Sequence, residues 1–185
     1  IIYEGTILEE YYYGDFKSLN KIKLSDVEDF YNTYYSPNVS TVIVSGDISE
    51  SDALNKLDFL SSWKNKKVEL PVLPELKMPS KTTIYLIDKP YAAQSTIVMG
   101  HPSSKFDYNG VHFKSDIMNY SLGGAFNSRL NLNLREGKGW TYGARSGFSG
   151  GKQNGSFRFS GEFKKEATDS TIAEAMKEIT NFIEN

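Results

Sequence analysis

Residues 121–150 have the sequence SLGGAFNSRLNLNLREGKGWTYGARSGFSG, and three structural signals follow one another in this stretch. A Gly-Gly pair near its start ends the apolar helical pattern that precedes it. Phe126, Leu130 and Leu134 then recur every four residues, which predicts a second helix. After a glycine-containing turn, residues 141–149 have strand character. The stretch is therefore predicted to pass from helix through a glycine turn into a strand.

The residues that follow this stretch predict a β-hairpin. In residues 155–163, GSFRFSGEF, three phenylalanines alternate with polar residues, which indicates a strand with one solvated face. The sequence GGKQNG before it is typical of a turn. Residues 141–149 and 155–163 are therefore predicted to pair with each other.

Apolar periodicity and β-branched runs predict the remaining elements. Helices are predicted within residues 24–38, with a capping box of Ser25 and Glu28 and a stop at Pro37, and within 49–63, with Ser49 as its cap, 107–124 and 166–184. Strands are predicted at 40–47, 82–88 and 94–100. The helix at 107–124 is apolar over much of its circumference, which predicts that it is buried. The strands are grouped in hairpins, and the helices are expected to cover one face of the sheet. This pattern indicates an α+β fold with a mostly antiparallel sheet.

The length of 185 residues suits one domain, so we interpret residues 1–185 as a single domain. Residues 64–80 contain three prolines and several charges, and we interpret them as a connector. This connector separates a helix–strand–helix part from the sheet and helices that follow. Because the sequence starts with Ile1 and not with Met, we expect it to be a piece of a longer protein.

Composition excludes several classes of function. Lys and Arg number 21 against 23 Asp and Glu, so there is no basic excess for nucleic-acid binding. No apolar run approaches the roughly 20 residues that span a bilayer, so no membrane insertion is expected. There is no cysteine, which excludes disulfides and thiolate metal sites. The compartment stays open between a bacterial cell envelope or periplasm and the cytoplasm.

The residues that usually carry catalysis do not form a recognisable motif. The two histidines, His101 and His112, belong to no H-x-x-E-H sequence or its inverse, so no metal site is predicted. Ser103, Ser128 and Ser146 have no histidine at a known motif spacing, and G-x-S-x-G is absent. The glycines are too sparse for a phosphate-binding loop. We therefore predict neither catalytic residues nor a cofactor on this segment.

Arg135 and Tyr142 remain as candidates for binding. They lie seven residues apart, on the two sides of the glycine turn. An arginine offers a permanently charged fork of N–H donors, and a tyrosine hydroxyl donates one directional hydrogen bond. Two such donors could bind one peptide or stabilise negative charge on a carbonyl oxygen. In the alternative, Arg135 caps the helix and pairs with Glu136 or Glu162, while Tyr142 packs.

Residues 121–150 resemble the second-type, non-zinc-binding domain of the M16 (pitrilysin/insulinase-like) zinc metallopeptidases. The family pattern is Leu-Gly-Gly, Ser-Arg-Leu, Leu-Arg-Glu, a glycine-containing turn, and then an aromatic residue or Leu, a small residue and Tyr. Residues 23–54 are similar to the helix of that family and to its following strand, which ends in Gly-Asp. The proline-rich connector and the strand QSTIVMGHP occur in the same order. The resemblance extends over roughly residues 15–185.

The resemblance implies an α+β domain with helices packed on one face of its sheet. It also implies that zinc is bound by an H-x-x-E-H helix of a partner domain and that this segment binds none. In that family the C-terminal half contributes an Arg–Tyr pair that contacts the substrate peptide, and Arg135 and Tyr142 match the pair by motif. The implied partners are a peptide or unfolded protein substrate and a catalytic M16 domain, in the same chain or on a partner subunit.

The function expected from the resemblance is that of a substrate-binding, chamber-forming domain of an M16-type zinc-dependent endopeptidase. By itself the segment is expected to be inactive. Two alternatives remain open at this point. One is a non-catalytic M16-like scaffold or processing subunit. The other is a peptide-binding module that uses an exposed strand edge, with the hairpin 141–163 as the docking edge.

Overall fold

A computed structural model of the chain describes Tyr3, Glu9 and residues 13–72 and 76–184. The chain divides into two compact units, one of residues Glu10–Val72 and the other of Leu73–Asn185 with Ile1–Glu9. The division falls inside residues 64–80, the stretch that the sequence marks as a connector. Each unit is described below by itself.

The regular secondary structure described in the first unit consists of helices. Its helices are α1 (Phe16–Leu19), α2 (Leu24–Tyr34) and α3 (Glu50–Leu57), with 3-10 turns at Pro37–Val39 and Asp58–Ser62. The Ser49 hydroxyl accepts a hydrogen bond of 3.1 Å from the backbone N–H of Asp52, so Ser49 caps α3 as the sequence predicts. The cap therefore satisfies one of the backbone donors that the first turn of α3 leaves unpaired.

The predicted capping box of α2 is wrong. The helix begins at Leu24, one residue before Ser25, and Glu28 is not its capping acid. The carboxylate of Asp26 instead accepts a hydrogen bond of 2.8 Å from the backbone N–H of Lys23. Asp26 occupies the third helical position, from which a capping-box acid reaches the N-cap N–H, so the box lies two residues earlier than predicted.

Two of the predicted strands do not form. Residues 40–47 of the first unit and 82–88 of the second are irregular, and their apolar side chains, Ile43 and Leu86 among them, are exposed. Both runs have the composition of a strand, but a strand also needs a neighbour to bond its backbone. Within the described residues neither run has a hydrogen-bonded neighbouring strand.

The second unit contains the sheet and most of the buried core. Its elements are β1 (Gln94–Ser103), α4 (Val111–Asn119) with a π-helical turn at Tyr120–Gly124, α5 (Arg129–Asn131) with a π-helical turn at Leu132–Gly137, β2 (Thr141–Gly150), β3 (Gly155–Lys164), a 3-10 turn at Lys165–Ala167 and α6 (Thr168–Glu184). The predicted hairpin is confirmed as β2 and β3, which are antiparallel and one residue longer than the pattern indicates.

Within the described residues the sheet has three antiparallel strands in the order β1–β3–β2. The α+β class with helices on one face of a mostly antiparallel sheet is therefore confirmed. The long hairpin strand β3 lies in the centre because it carries three core phenylalanines. These are Phe157, Phe159 and Phe163, and all three are buried.

The core lies between the sheet and the helices of the second unit. Phe159 and Phe163 stack at 6.1 Å between ring centroids, and Leu130 and Leu134 of the second helical segment are fully buried with them. Ala175 of α6 completes this cluster. Leu130 and Leu134, two of the three apolar residues that recur every four positions, therefore attach this helical segment to the sheet, whereas Phe126 is 61% exposed.

The predicted burial of the helix at 107–124 is wrong for α4. Val111 and Ile117 are exposed, whereas the buried residues of α4 are His112 and Asn119. Periodicity counts apolar residues on a helix but does not say what covers them. In the second unit α4 packs against β2, and only the side of the helix that carries His112 and Asn119 is buried.

Polar side chains join the second helical segment to α6. Asn133 Nδ2 donates to Glu174 Oε1 at 3.0 Å and to Glu178 Oε1 at 2.8 Å. Arg129 Nε donates to the other oxygen of Glu178 at 3.1 Å. The hydrogen bond from Asn133 lowers the pKa of Glu174, which keeps that carboxylate charged.

No helix in the described part of the chain has both the length and the apolar character that crossing a membrane requires.

Replacement of Leu134 by alanine tests the core. Leu134 is 0% exposed, so Leu134→Ala should leave a cavity and lower the free energy of unfolding by about 2–5 kcal/mol. Leu132→Ala, two residues away and 47% exposed, is the matched control and should cost about 1 kcal/mol or less. Urea unfolding of both variants measures the difference. Equal costs for the two leucines would contradict the described packing.

Candidate functional site

The start of β2 contains a β-bulge. Thr141 and Ala144 pair with residues of β3 that are only two positions apart, so Tyr142 and Gly143 together oppose Glu162. In a regular strand, residues 141 and 144 would point to opposite faces of the sheet. Here both are buried, while Tyr142 is 92% exposed. The bulge therefore directs the tyrosine side chain into solvent.

The side chain of Thr141 fixes the bulge. Its hydroxyl donates to the carbonyl oxygen of Glu162 at 2.6 Å and accepts from the backbone N–H of Gly143 at 3.0 Å. These bonds replace the ladder hydrogen bonds that the extra residue interrupts. The position of Tyr142 is thereby set by the backbone on both sides of it.

Arg135 lies in the π-helical turn before β2. Its guanidinium forms an ion pair with Glu136 and lies over the ring of Phe126, 4.7 Å from the ring centroid. The pairing with Glu136 is the one that the structural alternative predicts. A ring beneath the guanidinium plane stabilises its orientation.

Two other parts of that structural alternative are wrong. Glu162 does not pair with Arg135, because its carboxylate accepts hydrogen bonds from Thr96 Oγ1 at 2.9 Å. Tyr142 does not pack, and within the described residues its hydroxyl and ring have no hydrogen bond or ring contact. The two candidate residues also make no such contact with each other.

A hydrogen-bonded turn joins Arg135 to β2. The N–H of Gly139 donates to the carbonyl of Arg135 at 3.0 Å, and the N–H of Trp140 donates to the carbonyl of Leu134 at 3.0 Å. Gly139 has a φ of +63°, a conformation that favours glycine over residues with a side chain. The structure therefore places Arg135 and Tyr142 at the two ends of one turn that is fixed by its own backbone.

Two buried asparagines cover the outer edge of β2. The N–H of Ala144 donates to Asn131 Oδ1 at 3.0 Å, and Asn119 Nδ2 donates to the carbonyl of Ser146 at 2.8 Å. The Ser146 hydroxyl returns a bond of 2.5 Å to Asn119 Oδ1. A peptide strand cannot add to these edge groups, because their hydrogen bonds are already made. The alternative in which the hairpin 141–163 is a docking edge is therefore wrong at this part of β2.

The sequence analysis missed both asparagines. Asn119 and Asn131 each interrupt an apolar helical pattern, and that interruption was the available signal. Buried polar side chains within a helix need partners, which here are backbone groups of the neighbouring strand.

The backbone of the first π-helical turn lies directly against β2. A Cβ atom at Gly123 would be 2.1 Å from Ser146 Oγ and 2.5 Å from its backbone nitrogen. No side chain fits in that space. The glycine is therefore required by the close approach of the helical segment to the strand.

The histidines do not form a metal site with neighbouring residues. His101 Nδ1 bonds the carbonyl of Pro102 at 2.7 Å. His112 is buried, and its Nε2 lies 3.5 Å from the carboxylate of Asp116, an acidic residue one helical turn away. Among the described residues there is no group of three His, Cys, Asp or Glu that could hold a metal ion. The described donors do not fit zinc, which needs three or four protein ligands.

Comparison with known proteins identifies relatives over most of the chain. Residues 21–185 match the family described as "Peptidase M16 inactive domain". A Helicobacter pylori protein named "Non-peptidase homolog YmxG" is 28% identical over 154 residues, which is 80% of this chain and 34% of that protein.

Two crystal structures share the fold. The peptidase M16 inactive domain from Pseudomonas fluorescens has a TM-score of 0.82 at 26% identity, over 93% of this chain and 41% of that one. A structure described as a protease from Helicobacter pylori has a TM-score of 0.71 at 19% identity, over 86% of this chain and 40% of that one, and shows the fold alone. This chain therefore spans between a third and about two fifths of the length of these relatives.

Replacement of Gly123 by alanine tests the contact with β2. The added methyl group would overlap Ser146, so Gly123→Ala should lower the free energy of unfolding by about 1–3 kcal/mol. At Gly147 a Cβ atom would meet nothing within 4 Å, so Gly147→Ala should stay within about 1 kcal/mol of wild type. Thermal or urea unfolding compares the two. A stability loss at Gly147 as large as that at Gly123 would show that the close approach is not the cause.

Proposed function

This chain belongs to the peptidase M16 inactive-domain family, and we propose that it is the substrate-binding, chamber-forming domain of an M16-type zinc-dependent endopeptidase. In this proposal Arg135 and Tyr142 bind an extended peptide or unfolded protein segment. Zinc and the cleavage chemistry are assigned to a catalytic M16 domain, in the same chain or on a partner subunit. The domain by itself cleaves nothing.

The observation that carries the proposal is the exposed and fixed position of Tyr142. Large aromatic side chains usually pack, yet this one is 92% exposed and sits on a bulge stabilised by Thr141. Its hydroxyl is free to donate a hydrogen bond to a peptide carbonyl. Because the backbone beneath it is already ordered, little conformational entropy is lost when a peptide binds.

Arg135 supports the same role. One guanidinium nitrogen pairs with Glu136, and the remaining N–H groups are available to a ligand. The Glu136 side chain is 55% exposed, and an exposed ion pair contributes about 1 kcal/mol or less. A peptide carbonyl can therefore share the guanidinium or displace Glu136 at low cost. The ring of Phe126 keeps the guanidinium plane oriented in either case.

A second candidate function is a non-catalytic M16-like scaffold or processing subunit. The observation that favours it is the name of the Helicobacter pylori relative, a "Non-peptidase homolog". In this case the domain would still bind peptide through Arg135 and Tyr142, but the assembled protein would not hydrolyse it. Binding and hydrolysis therefore have to be measured separately.

Substitution of the two residues tests the proposal. Arg135→Ala and Tyr142→Phe, made in the complete protein with its catalytic domain, should each lower kcat/KM by about 10- to 100-fold, since each removes one hydrogen-bond donor to the substrate. Arg135→Lys should restore only part of the loss, because lysine keeps the charge but not the fork. Hydrolysis of internally quenched fluorogenic peptides gives kcat/KM, and peptide anisotropy gives Kd.

The matched control is Tyr108→Phe, which removes the hydroxyl of another exposed tyrosine in the same unit and should leave kcat/KM unchanged. Unfolding curves confirm that all variants fold. Full kcat/KM in both Arg135→Ala and Tyr142→Phe would refute substrate contact. Peptide binding that depends on both residues without any hydrolysis would support the scaffold function instead.

A further inference from the structure

The sheet of the second unit has one face that the helices do not cover. We call it the open face and define it as the side on which Arg158, Ser160 and Glu162 of β3 project. The alternate residues of the same strand, such as Phe159, are buried in the core on the other side. Tyr142 is exposed at the bulge opposite Glu162, so the proposed peptide contact lies at one end of the open face.

Arg158 occupies the middle of the open face, with no side chain directly opposite it on either neighbouring strand. Its register partners are Gly100 of β1 and Gly147 of β2. Within the described residues Arg158 has no ion pair or hydrogen bond. The guanidinium charge is therefore uncompensated, and the two glycines leave the adjacent backbone open to the approach of another chain.

A second arginine lies close to it on the same face. Arg145 of β2 pairs with Ser160, which is two residues from Arg158 on β3, so the two arginines are diagonal neighbours about 7–8 Å apart. The Arg145 guanidinium donates to the carbonyl of Gly124 at 3.4 Å and has no carboxylate partner among the described residues. This spacing is that of the strand positions, and the Arg145 guanidinium would leave its long hydrogen bond to Gly124 to share an anion with Arg158.

Acidic charge on the open face lies at the other end. Glu162 is opposite the bulge, where Thr96 donates to its carboxylate, and Lys164 follows at the end of β3. The charges of Glu162 and Lys164 offset each other beside Tyr142, so the face changes from near neutral there to basic at Arg145 and Arg158. This asymmetry gives the face a direction along which a charged peptide can be placed.

We propose that Arg145 and Arg158 bind the carboxylate of an Asp or Glu in the peptide substrate. The inference rests on the proposed function, because it uses Tyr142 as the point of peptide contact. Because of the bulge, distances are counted along β3: Tyr142 is opposite Glu162, Arg145 is opposite Ser160 two residues away, and Arg158 is four residues away. At about 3.3 Å per residue these positions are about 7–13 Å from Tyr142. The acidic residue therefore lies two to four residues along an extended substrate from the residue that Tyr142 contacts.

The chemistry of the pair fits a carboxylate. The planar guanidinium donates two parallel hydrogen bonds to the two carboxylate oxygens, which a neutral side chain cannot accept in the same way. Uncompensated positive charge also raises the rate at which acidic peptides associate. An acidic residue placed beside Tyr142 would instead meet Glu162 and Lys164, whose charges offset each other, and should gain little.

The test measures binding of a peptide series to the complete protein with its partner domain. The series is one neutral Ala/Ser/Gln peptide, labelled with fluorescein, in which a single Glu is moved along the sequence. Fluorescence anisotropy should show a Kd about three- to tenfold lower for Glu at a limited set of positions than for the neutral peptide. Added salt should reduce this difference.

The arginine variants identify the residues responsible. Arg158→Gln and Arg145→Gln should each raise the Kd of the Glu-containing peptide by about two- to fivefold and leave the Kd of the neutral peptide unchanged. Lys152→Gln, which removes an exposed cation in the hairpin loop, is the control and should change neither peptide. Tyr142→Phe should weaken the neutral and the acidic peptides by the same factor.

Each outcome separates this inference from the proposed function. If Glu gives no gain at any position, or if the gain persists in the Arg145→Gln/Arg158→Gln double variant, the inference is overturned, while Tyr142-dependent binding of the neutral peptide would still stand. If the gain from Glu depends on Arg158 but the neutral peptide binds independently of Arg135 and Tyr142, the proposed function is refuted. Binding of an acidic residue at the open face would still be supported. If no peptide binds, both are overturned.

Discussion

The attachment of two helical segments to the edge of β2 is the constraint on which the second unit depends. An edge strand presents unpaired N–H and C=O groups, and here Asn131 and Asn119 satisfy those of Ala144 and Ser146. The attachment requires a close approach, which a side chain at position 123 would prevent. Both segments end in π-helical turns, a geometry that occurs often at functional sites. The same contacts exclude a peptide from this edge.

With these two groups occupied, a peptide cannot add as a strand at Ala144 and Ser146 of β2. The bulge at the start of β2 exposes Tyr142 just beyond the covered region, and the turn before it places Arg135 at its other end. The core phenylalanines of β3 make the hairpin rigid, and their alternation sends Arg158 and Glu162 to the open face. The same two strands therefore carry core residues on one face and the residues proposed for recognition on the other.

Sequence patterns predict those parts of this fold whose cause is local. The alternation in β3, the apolar stripe of α6 and the turn sequence between β2 and β3 each depend on neighbours within a few residues. The resemblance of residues 121–150 to a family motif likewise depends on short-range identity and identifies Arg135 and Tyr142. The strands expected at 40–47 and 82–88 were wrong because a strand depends on a partner that composition cannot supply.

The sequence by itself determined the α+β class, the hairpin, the glycine turn and the identity of the two candidate residues. Only the tertiary structure decided that Tyr142 faces solvent, because the bulge depends on the register between β2 and β3. Only the tertiary structure assigned a role to Asn119, because its partner Ser146 is 27 residues away. The physical reason is the same in both cases. Periodicity reports which face of an element is apolar, whereas the direction of a polar side chain depends on contacts between residues distant in sequence.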